Sequence, residues 1–501
     1  MKRLKKLLLD TLLLTGTALL MRLLGMGFSV WLSRRIGAAG VGLFELLMSV
    51  YGFAVVLAAS GVRLSVIRLV VEHGGAARAV MRLCVRYALL LGSGACILLL
   101  MGARTIAERW LRAPEAVLSL RILAVSLPFL AVSAALSGYF TAARHAGRYS
   151  GVQLAEQLCR IALSVGLLRL LLPRGVNYAC VALVIASCGA ETLSMLLALA
   201  LYRLERPGTD AAPRGLRRAL LRIALPDAAG SWVRSALVTA KQLLIPRGLR
   251  LSGASSEQAL ATYGIIQGMA LPVLAFPAAF LGALSGLLVP EVAECRTRGQ
   301  QARLCYIIRR VIHVTLMFSF GAMGLLLTFA EPLGTLLYHS GAAARYIRML
   351  APLAPLIYLD MAVDAFLKGL GLQTASMRIN IADAAMCLTL VLVLIPRIGI
   401  PGYLLMLALS EALNLVLSLM RLRKAACFEP ETVRNVLIPA VCALLPMLWG
   451  APSYRTLCAV LPEVPALAGA MAFVSLGYGS ALFALGSATA EDWRWLRGIL
   501  K

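Results

Sequence analysis

Apolar runs of about twenty residues recur from one end of this 501-residue chain to the other, with short polar connections between them. Folded as a helix, a run of this length spans the hydrocarbon core of a bilayer. The composition agrees, since 60% of the residues are hydrophobic and only 14% are charged, whereas globular domains average about 45–50% and about 25%. Barrel strands would alternate apolar and polar residues, and these runs do not. The chain is therefore predicted to be an all-helical, multi-pass membrane protein.

The apolar runs number fourteen, and each is predicted to be a transmembrane helix. The connections between them are too short to hold an extramembrane domain. The predicted spans lie near residues 8–33, 41–62, 83–103, 117–141, 151–172, 177–202, 220–245, 260–289, 306–330, 346–370, 378–396, 400–421, 436–451 and 465–487. They are grouped as an N-terminal lobe of six helices at 1–205, a C-terminal lobe of six helices at 215–425, and two further C-terminal helices with a cytoplasmic tail at 430–501.

An internal repeat is the reason for this grouping. Residues 173–201 and 396–422 share a layout in which Pro-Arg at a turn precedes a span with a single acid and a Leu-rich run. The acid is Glu191 in the first copy and Glu411 in the second. Many secondary transporters consist of two such repeats, with the substrate site between them. The sequence therefore predicts a duplicated transporter with a cavity between its lobes.

The excess of basic residues has a topological explanation. The chain carries 49 Lys and Arg against 23 Asp and Glu, a net charge of +26. In a soluble protein this charge would suggest nucleic acid, but here Lys and Arg concentrate in alternate connections, as the positive-inside rule predicts for cytoplasmic loops. Both termini are therefore predicted to be cytoplasmic, in the cell membrane, with no nucleic-acid partner. Attraction of the basic loops for membrane lipids is a second expected effect.

Cysteine and histidine do not indicate a metal or disulfide site. The 11 cysteines stand singly, no CxxC pair occurs, and the 4 histidines lie far apart in the chain. Cysteine is interpreted as a small apolar side chain here. We expect neither a metal nor a cofactor, apart from a coupling ion, H+ or Na+.

The stretch at residues 220–294 is apolar enough for a bilayer, yet it holds ionisable groups and several prolines. Such groups mark the working parts of membrane proteins. Arg234 and Lys241 are two helical turns apart, and Asp227 precedes Arg234 by the same distance, so the three form one charged stripe on span 7. The stripe either lines an aqueous cavity or binds a neighbouring span. Gln267 in span 8 either contacts the substrate or joins two helices by a hydrogen bond.

Further charged residues lie in the first lobe. Arg22 is near the middle of span 1, roughly 16 Å from either end, which is too far for its guanidinium to reach the interface comfortably. It either faces a hydrated cavity or pairs with an acid such as Glu45. Arg63, at the inner end of span 2, either contacts the substrate or anchors the helix at the interface. Glu156 and Arg160, one turn apart, are expected to pair with each other.

Acidic residues of the second lobe are candidates for ion coupling or for internal ion pairs. Asp360, Asp364 and Lys368 recur at every fourth position of span 10, which predicts an internal ion ladder or, alternatively, an ion-coupling site. Asp383 and Glu411 are single acids that either carry coupling protons or Na+ or contact packing partners.

Two segments resemble a known transporter superfamily. The opening of the multidrug/oligosaccharidyl-lipid/polysaccharide (MOP) exporters resembles LMRLLGMGFSVWLSRRIGAAGVGLFELLMSVYGFAVVLAASGV (20–62). The stage V sporulation protein B branch is similar to LIPRGLRLSGASSEQALATYGIIQGMALPVLAFPAAFLGALSGLLVPEVAE (244–294). The resemblance covers essentially the whole chain. It implies a two-lobed flippase of fourteen spans that handles lipid-linked sugar precursors of cell wall or polysaccharide.

The lipid II flippase branch of the superfamily shows where this chain departs. Its first helix has a Ser-Arg-x-Leu-Gly motif, which Arg22, Leu24 and Gly25 match in part. That branch also carries an Arg-Asp pair one to two turns later, where this chain has Phe28 and Ser29. Arg22 is therefore the main cation of the first helix that the resemblance carries over.

Together with these features, the resemblance implies a non-enzymatic flippase that moves a lipid-linked (polyprenyl-pyrophosphate) oligosaccharide or cell-wall precursor across the cytoplasmic membrane by alternating access. Arginine suits a pyrophosphate because its planar fork binds oxygen atoms bidentately and stays charged. The expected substrate-binding residues are Arg22, Arg63, Arg234, Lys241 and Gln267, and the coupling or ion-pair candidates are Glu45, Asp227, Asp360, Asp364, Asp383 and Glu411. The expected partners are the lipid-linked sugar and membrane lipids, and the protein is expected to be monomeric.

Two other classes remain as alternatives. A drug/cation antiporter of the same superfamily should have a site dominated by acids and aromatic residues, whereas the front spans here hold Arg and Lys. A membrane glycosyltransferase or ligase needs catalytic acids or His on a sizeable loop, and the connections here are short.

Overall fold

The computed structural model of the protein consists of helices. It describes the backbone of residues 2–143, 145–205, 215–426, 433–492 and 494–495, and within these ranges the side chains of all residues except 2–15, 146, 174, 283–288 and 290. No strand occurs in the described ranges. The predicted all-helical class is confirmed.

The α-helices follow one another with short connections. In order they are α1 Lys2–Ala59, α2 Val62–Glu72, α3 Ala77–Thr105, α4 Ala116–Ala142, α5 Ala146–Leu171, α6 Val176–Glu205, α7 Leu216–Leu251, α8 Ser256–Gly264, α9 Leu271–Thr297, α10 Gln301–Thr328, α11 Ala330–Tyr338, α12 Gly341–Leu350, α13 Ala354–Gly369, α14 Gln373–Val393, α15 Ile395–Ile398, α16 Ile400–Ala425, α17 Ile438–Cys442, α18 Leu444–Cys458 and α19 Glu463–Ala484. A π-helical segment, Ile265–Ala270, joins α8 directly to α9.

Eleven helical stretches of the described chain are long and apolar enough to cross a membrane. They cover twelve of the fourteen predicted spans, because the stretch Gly16–Glu72 takes in the first two. The remaining two predicted spans, 151–172 and 220–245, fall on α5 and α7. These helices are 26 and 36 residues long, but neither is among the eleven stretches.

The 58-residue element α1 consists of two helices that meet at a kink, and each of them is long enough to cross a bilayer. Its backbone leaves the helical conformation at Gly37, where φ is 72° and ψ is 173°. A left-handed φ of this size favours glycine, which has no Cβ. The bend at Gly37 lies between the first two predicted spans and separates them.

One compact unit, called unit 1, consists of Met1–Phe28, Arg35–Gly264 and Val391–Gly399. Within it α4 packs against α2, α3 and α6. Its fully buried large side chains include Leu46, Leu47, Leu69, Met81, Phe140, Leu120, Leu123 and Leu127. This apolar packing fixes the helices that carry most of the predicted cations.

A second compact unit, unit 2, consists of Ser29–Arg34, Ile265–Leu390 and Ile400–Lys501. Its largest apolar cluster joins α9, α10, α13 and α16 and includes Val292, Ile308, Val363, Leu367 and Leu422. The sequence places α7 and α8 in the C-terminal lobe, whereas their contacts place them in unit 1. The lobe boundaries at 205 and 215 stay a prediction.

Candidate functional site

In unit 1, α7 runs antiparallel to the second half of α1. The hydroxyl of Ser49 donates to the side-chain oxygen of Gln242, and the hydroxyl of Thr239 donates to the carbonyl of Ser49 at 3.2 Å. Twelve residues later, Gly61 packs against the backbone of Ala224. Higher residue numbers after Ser49 therefore face lower residue numbers on α7, which is the pattern of antiparallel neighbours. This contact line places the start of α2 beside the first part of α7.

The charged stripe predicted on α7 is present as one side of the helix. Asp227 and Lys241 are half-buried and Arg234 is exposed. The side chain of Leu225 is 51% exposed. It lies nine residues, or two and a half helical turns, before Arg234, so the two side chains point in opposite directions from the helix axis. The stripe and this exposed apolar surface therefore lie on opposite sides of α7. Because of this arrangement the charges do not share the helix face that is suited to lipid.

Among the described residues, no acid pairs with the cations of the stripe. Within the described part of the chain, Arg234, Lys241 and Arg63 form no ion pair or hydrogen bond, and the same holds for the carboxylate of Asp227. Arg63 is exposed and follows Gly61 by two residues, so it lies at the end of α2 that packs beside α7. Unit 1 thus brings three cations to neighbouring helices without internal neutralisation.

Arg22 lies in the first half of α1 and is exposed. This part of α1 lies beside α5, because a methyl group at Gly25 would be 3.8 Å from Nε2 of Gln157. Whether Arg22 faces a hydrated cavity or pairs with an acid such as Glu45 stays a prediction. The two residues are at different distances from the bend at Gly37, roughly 22 Å and 12 Å along the helix, so their side chains are not level.

Gln267, the fifth expected substrate contact, lies in unit 2. Its Nε2 atom donates to the hydroxyl of Tyr403 at 2.8 Å, and the Tyr403 side chain is fully buried. The bond links the π-helical segment to α16. This geometry favours the interpretation of Gln267 as a residue that joins two helices.

A buried hydrogen-bond network in unit 1 was not predicted. The hydroxyl of Tyr51 contacts Oε2 of Glu191 at 2.5 Å and the hydroxyl of Ser126 at 2.6 Å, and so joins α1, α4 and α6. Glu156 and Arg160 pair at 2.5 Å on α5, which confirms their predicted ion pair. Because Glu191 is a single acid in an apolar helix, the sequence indicated that it needs a polar partner. Nothing in the sequence identified Tyr51 and Ser126 as its neighbours.

The acids of α13 in unit 2 form part of the predicted ladder. Lys368 Nζ lies 2.6 Å from Oδ2 of Asp364. Asp360 instead accepts from Nδ2 of Asn414 at 3.3 Å, and its other oxygen has no partner among the described residues. The ladder therefore consists of one ion pair and one carboxylate that is held by an amide.

Serine and asparagine side chains surround these acids. The Ser376 hydroxyl donates to Asp364, and the Ser410 hydroxyl donates to Oδ1 of Asp383 at 2.7 Å. Ser410, Asn414 and Ser418 recur at every fourth position of α16, a spacing that could have identified this polar face from the sequence. Glu411 lies on the same helix and is half-buried. Across the described residues, no three His, Cys, Asp or Glu side chains are arranged to hold a metal ion.

A family model described as polysaccharide biosynthesis protein matches residues 7–293, more than half of the chain. The chain belongs to the polysaccharide biosynthesis protein family. The matched range contains the cations of α1, α2 and α7. Stage V sporulation protein B of Bacillus subtilis (strain 168) is 25% identical over 407 residues, which are 78% of this chain and 79% of that protein.

Two solved structures share the fold of this polysaccharide biosynthesis protein. The lipid II flippase MurJ in an inward closed conformation superposes with a TM-score of 0.72, at 12% identity, over 94% of this chain and 99% of that one. An inward-facing multidrug resistance MATE family transporter of the MOP superfamily gives a TM-score of 0.60, at 15% identity, over 81% and 95%. The predicted family is confirmed, and the chain is a multi-pass membrane protein with the fold of MOP transporters.

Proposed function

We propose that this polysaccharide biosynthesis protein is a flippase for a saccharide linked to polyprenyl pyrophosphate, and that it works by alternating access. The observation that carries the proposal is the stripe on α7. Arg234 and Lys241 lie on α7, a helix of 36 residues that we count as a span, and have no acidic partner among the described residues. A cation in a span costs about 2.5–3.5 kcal/mol on insertion scales, so retention without a counter-ion favours an anionic ligand.

A pyrophosphate is the anion that fits this set of cations. It offers several oxygen atoms, and the guanidinium groups of Arg63 and Arg234 bind such oxygens bidentately, while the Lys241 ammonium acts as a compact charge. Arg22 is proposed as a further contact from the first half of α1. Gln267 has less support as a contact because Tyr403 already accepts its amide hydrogen.

The lipid carrier has a matching apolar surface in unit 2. Helices α18 and α19 form an open cavity of about 440 Å³ at the surface, whose lining is almost wholly apolar and includes Leu445, Trp449 and Phe473. An isoprenoid chain contacts such a surface without burying polar groups. The cavity supports a substrate that has both a charged headgroup and a long apolar tail.

The topology that we propose has fourteen spans, both termini in the cytoplasm and residence in the cytoplasmic membrane. Helices α5 and α7 are counted as spans because 26 and 36 residues correspond to roughly 39 Å and 54 Å of helix, enough to cross the hydrocarbon core. Their charges are then interior polar groups. The protein acts as a monomer and is not an enzyme.

Transport is proposed to be coupled to H+ or Na+. The coupling candidates are Asp360, Asp364, Asp383 and Glu411, which lie on α13, α14 and α16. Asp360 has the strongest support because one of its carboxylate oxygens is buried without a partner in the described part of the chain. Glu45 and Asp227 remain candidates in unit 1.

Binding of a polyprenyl-pyrophosphate disaccharide to the purified protein tests the assigned site. The variant R234Q/K241Q removes two charges from the stripe, and R217Q/R218Q removes two exposed charges from the same helix outside the stripe. A charge-assisted hydrogen bond contributes about 1.5–3 kcal/mol, so each lost cation should weaken binding roughly tenfold or more. The R217Q/R218Q control should bind as the wild type does. Equal affinities of the two variants would show that the stripe is not the site.

A drug/cation antiporter remains the second candidate function, and the acids of unit 2 are the observation that favours it. One buried carboxylate oxygen of Asp360 has no hydrogen-bond partner among the described residues, and Asp383 lies on α14. A carboxylate in an apolar setting attracts hydrophobic cations. Tight binding of tetraphenylphosphonium that is lost in D360N, together with no binding of the pyrophosphate lipid, would favour the antiporter.

A further inference from the structure

A cleft at one end of unit 2 is lined by cations from three helices. One part, a cavity of about 280 Å³, is lined by Arg296 from the end of α9 and by Arg421 and Lys424 from the end of α16. The adjoining part, about 470 Å³, shares Arg421 and Lys424 and adds Arg378 from the start of α14. Leu372, in the turn before α14, lines both parts. The name basic cleft is used below for the space lined by these four cations.

The guanidinium of Arg296 is directed toward the turn that borders the cleft. A methyl group at Gly371 would lie 3.8 Å from Nη1 of Arg296. The first turns of α10 and α14 also line the cleft, through Gln301 and Thr374. A helix N-terminus carries partial positive charge, so these two helix starts strengthen the field of the side chains.

The cations of the basic cleft are unneutralised, whereas nearby acids are taken by other cations. Among the described residues, none of the four forms an ion pair, and none of the residues that line the two cavities is acidic. The nearby ion pairs are Arg298–Glu294 at 2.9 Å, Arg303–Glu291 at 2.9 Å and Lys368–Asp364 at 2.6 Å. A positive-inside bias explains basic residues in loops, but it does not require unpaired cations from separate helices to meet at one cavity.

The wall of the basic cleft is apolar on one side. Leu417 and Met420 of α16 and Ile379 of α14 line the larger cavity beside the cations. A soluble anion such as free phosphate gains nothing from this wall. A lipid headgroup does, because its phosphate is attached to chains that leave toward hydrocarbon.

We propose that the basic cleft binds the phosphate of an anionic membrane lipid, with the first carbons of its chains against Leu417 and Met420. Arg421 and Lys424 are shared by both cavities and therefore lie where the phosphate is held. This site uses only unit 2 residues, and none of them is among the proposed contacts of the transported headgroup. The lipid-site proposal can therefore be tested separately from the flippase proposal.

Native mass spectrometry of the full-length protein in detergent, titrated with phosphatidylglycerol or phosphatidylcholine, tests the site. The variant R421Q/K424Q removes the two shared cations. R309Q/R494Q is the matched control, because it removes two exposed cations of the same unit that are outside the cleft and unpaired among the described residues. We expect phosphatidylglycerol to bind R421Q/K424Q roughly 30-fold more weakly than wild type, and the control to bind it as wild type does.

Three results would overturn the proposal. The first is equal phosphatidylglycerol affinity in R421Q/K424Q and wild type, and the second is equal affinity of wild type for phosphatidylcholine. The third is displacement of the lipid by inorganic phosphate at equal concentration, which would identify a site for the free anion. R378Q provides an independent second variant that should show a smaller loss in the same direction.

Discussion

Arg310 and Asp492 form a buried ion pair in unit 2. Nη1 of Arg310 lies 3.0 Å from Oδ1 of Asp492, and the two side chains are only 11% and 6% exposed. The backbone N–H and the hydroxyl of Thr489 both donate to Oδ2 of Asp492, at 2.8 Å and 2.6 Å. Two other guanidinium nitrogens of Arg310 are buried without a partner among the described residues. Asp492 is therefore the main charge that balances Arg310.

Replacing Asp492 by Asn should destabilise the protein strongly. The amide oxygen can still accept from Thr489, but the buried Arg310 loses its counter-charge, which costs about 3–5 kcal/mol in comparable pairs. Glu294→Gln is the control, since its pair with Arg298 is 55% and 64% exposed and such surface pairs contribute about 0–1 kcal/mol. Thermal unfolding in detergent measures both. Similar decreases in unfolding temperature in Asp492→Asn and Glu294→Gln would contradict the role of Asp492 as the counter-charge of Arg310.

The contact between α2 and α7 depends on a single glycine. Gly61 has φ of 73°, and a Cβ at this position would lie 2.5 Å from the carbonyl oxygen of Ala224. Both the backbone conformation and the close approach therefore require the absence of a side chain. The same glycine begins the helix that carries Arg63 and so sets the position of this cation beside α7.

Gly61→Ala should lower stability and separate α2 from α7. Positive φ in a non-glycine residue costs about 1–3 kcal/mol, and the contact with Ala224 adds to it. Gly74→Ala is the matched control, because nothing lies within 4 Å of the added methyl group and the backbone there is not left-handed. The test compares the unfolding temperatures of the two variants with that of the wild type. An unchanged value for Gly61→Ala would contradict the described packing.

At the scale of elements, hydropathy predicted most of the helices, since twelve of the fourteen expected spans fall within stretches that can cross a membrane. The kink at Gly37 falls between the first two expected spans, 8–33 and 41–62, so the predicted break there agrees with the structure. Pro226 and Pro246 both lie inside α7. Helices of membrane proteins tolerate proline because neighbouring groups satisfy the freed carbonyls.

The candidate site was predictable to the extent that its residues share a helix. The seven-residue spacing of Asp227, Arg234 and Lys241 fixed their common side, because helical periodicity is local. Partners that lie far apart in the chain were not predictable. The bond between Tyr51 and Glu191 spans 140 residues, and the bond between Gln267 and Tyr403 spans 136, so no local pattern encodes them.

At the scale of the whole molecule, the account requires that a charged headgroup crosses the membrane while its lipid tail stays in an apolar environment. We propose that the cations of α2 and α7, which have no ion-pair partner among the described residues, meet the first requirement. Family membership and the shared MOP fold agree with a transporter. Translocation is thus the property on which the account depends.

The most direct test is translocation of a fluorescent polyprenyl-pyrophosphate saccharide in proteoliposomes, followed by quenching of the label on one side of the bilayer. The account predicts that wild-type protein, but not empty liposomes, transfers the label between leaflets. R217Q/R218Q should match wild type, and R234Q/K241Q should transfer it at least roughly tenfold more slowly. Transfer at wild-type rate by R234Q/K241Q, or movement of tetraphenylphosphonium with none of the saccharide lipid, would contradict the account.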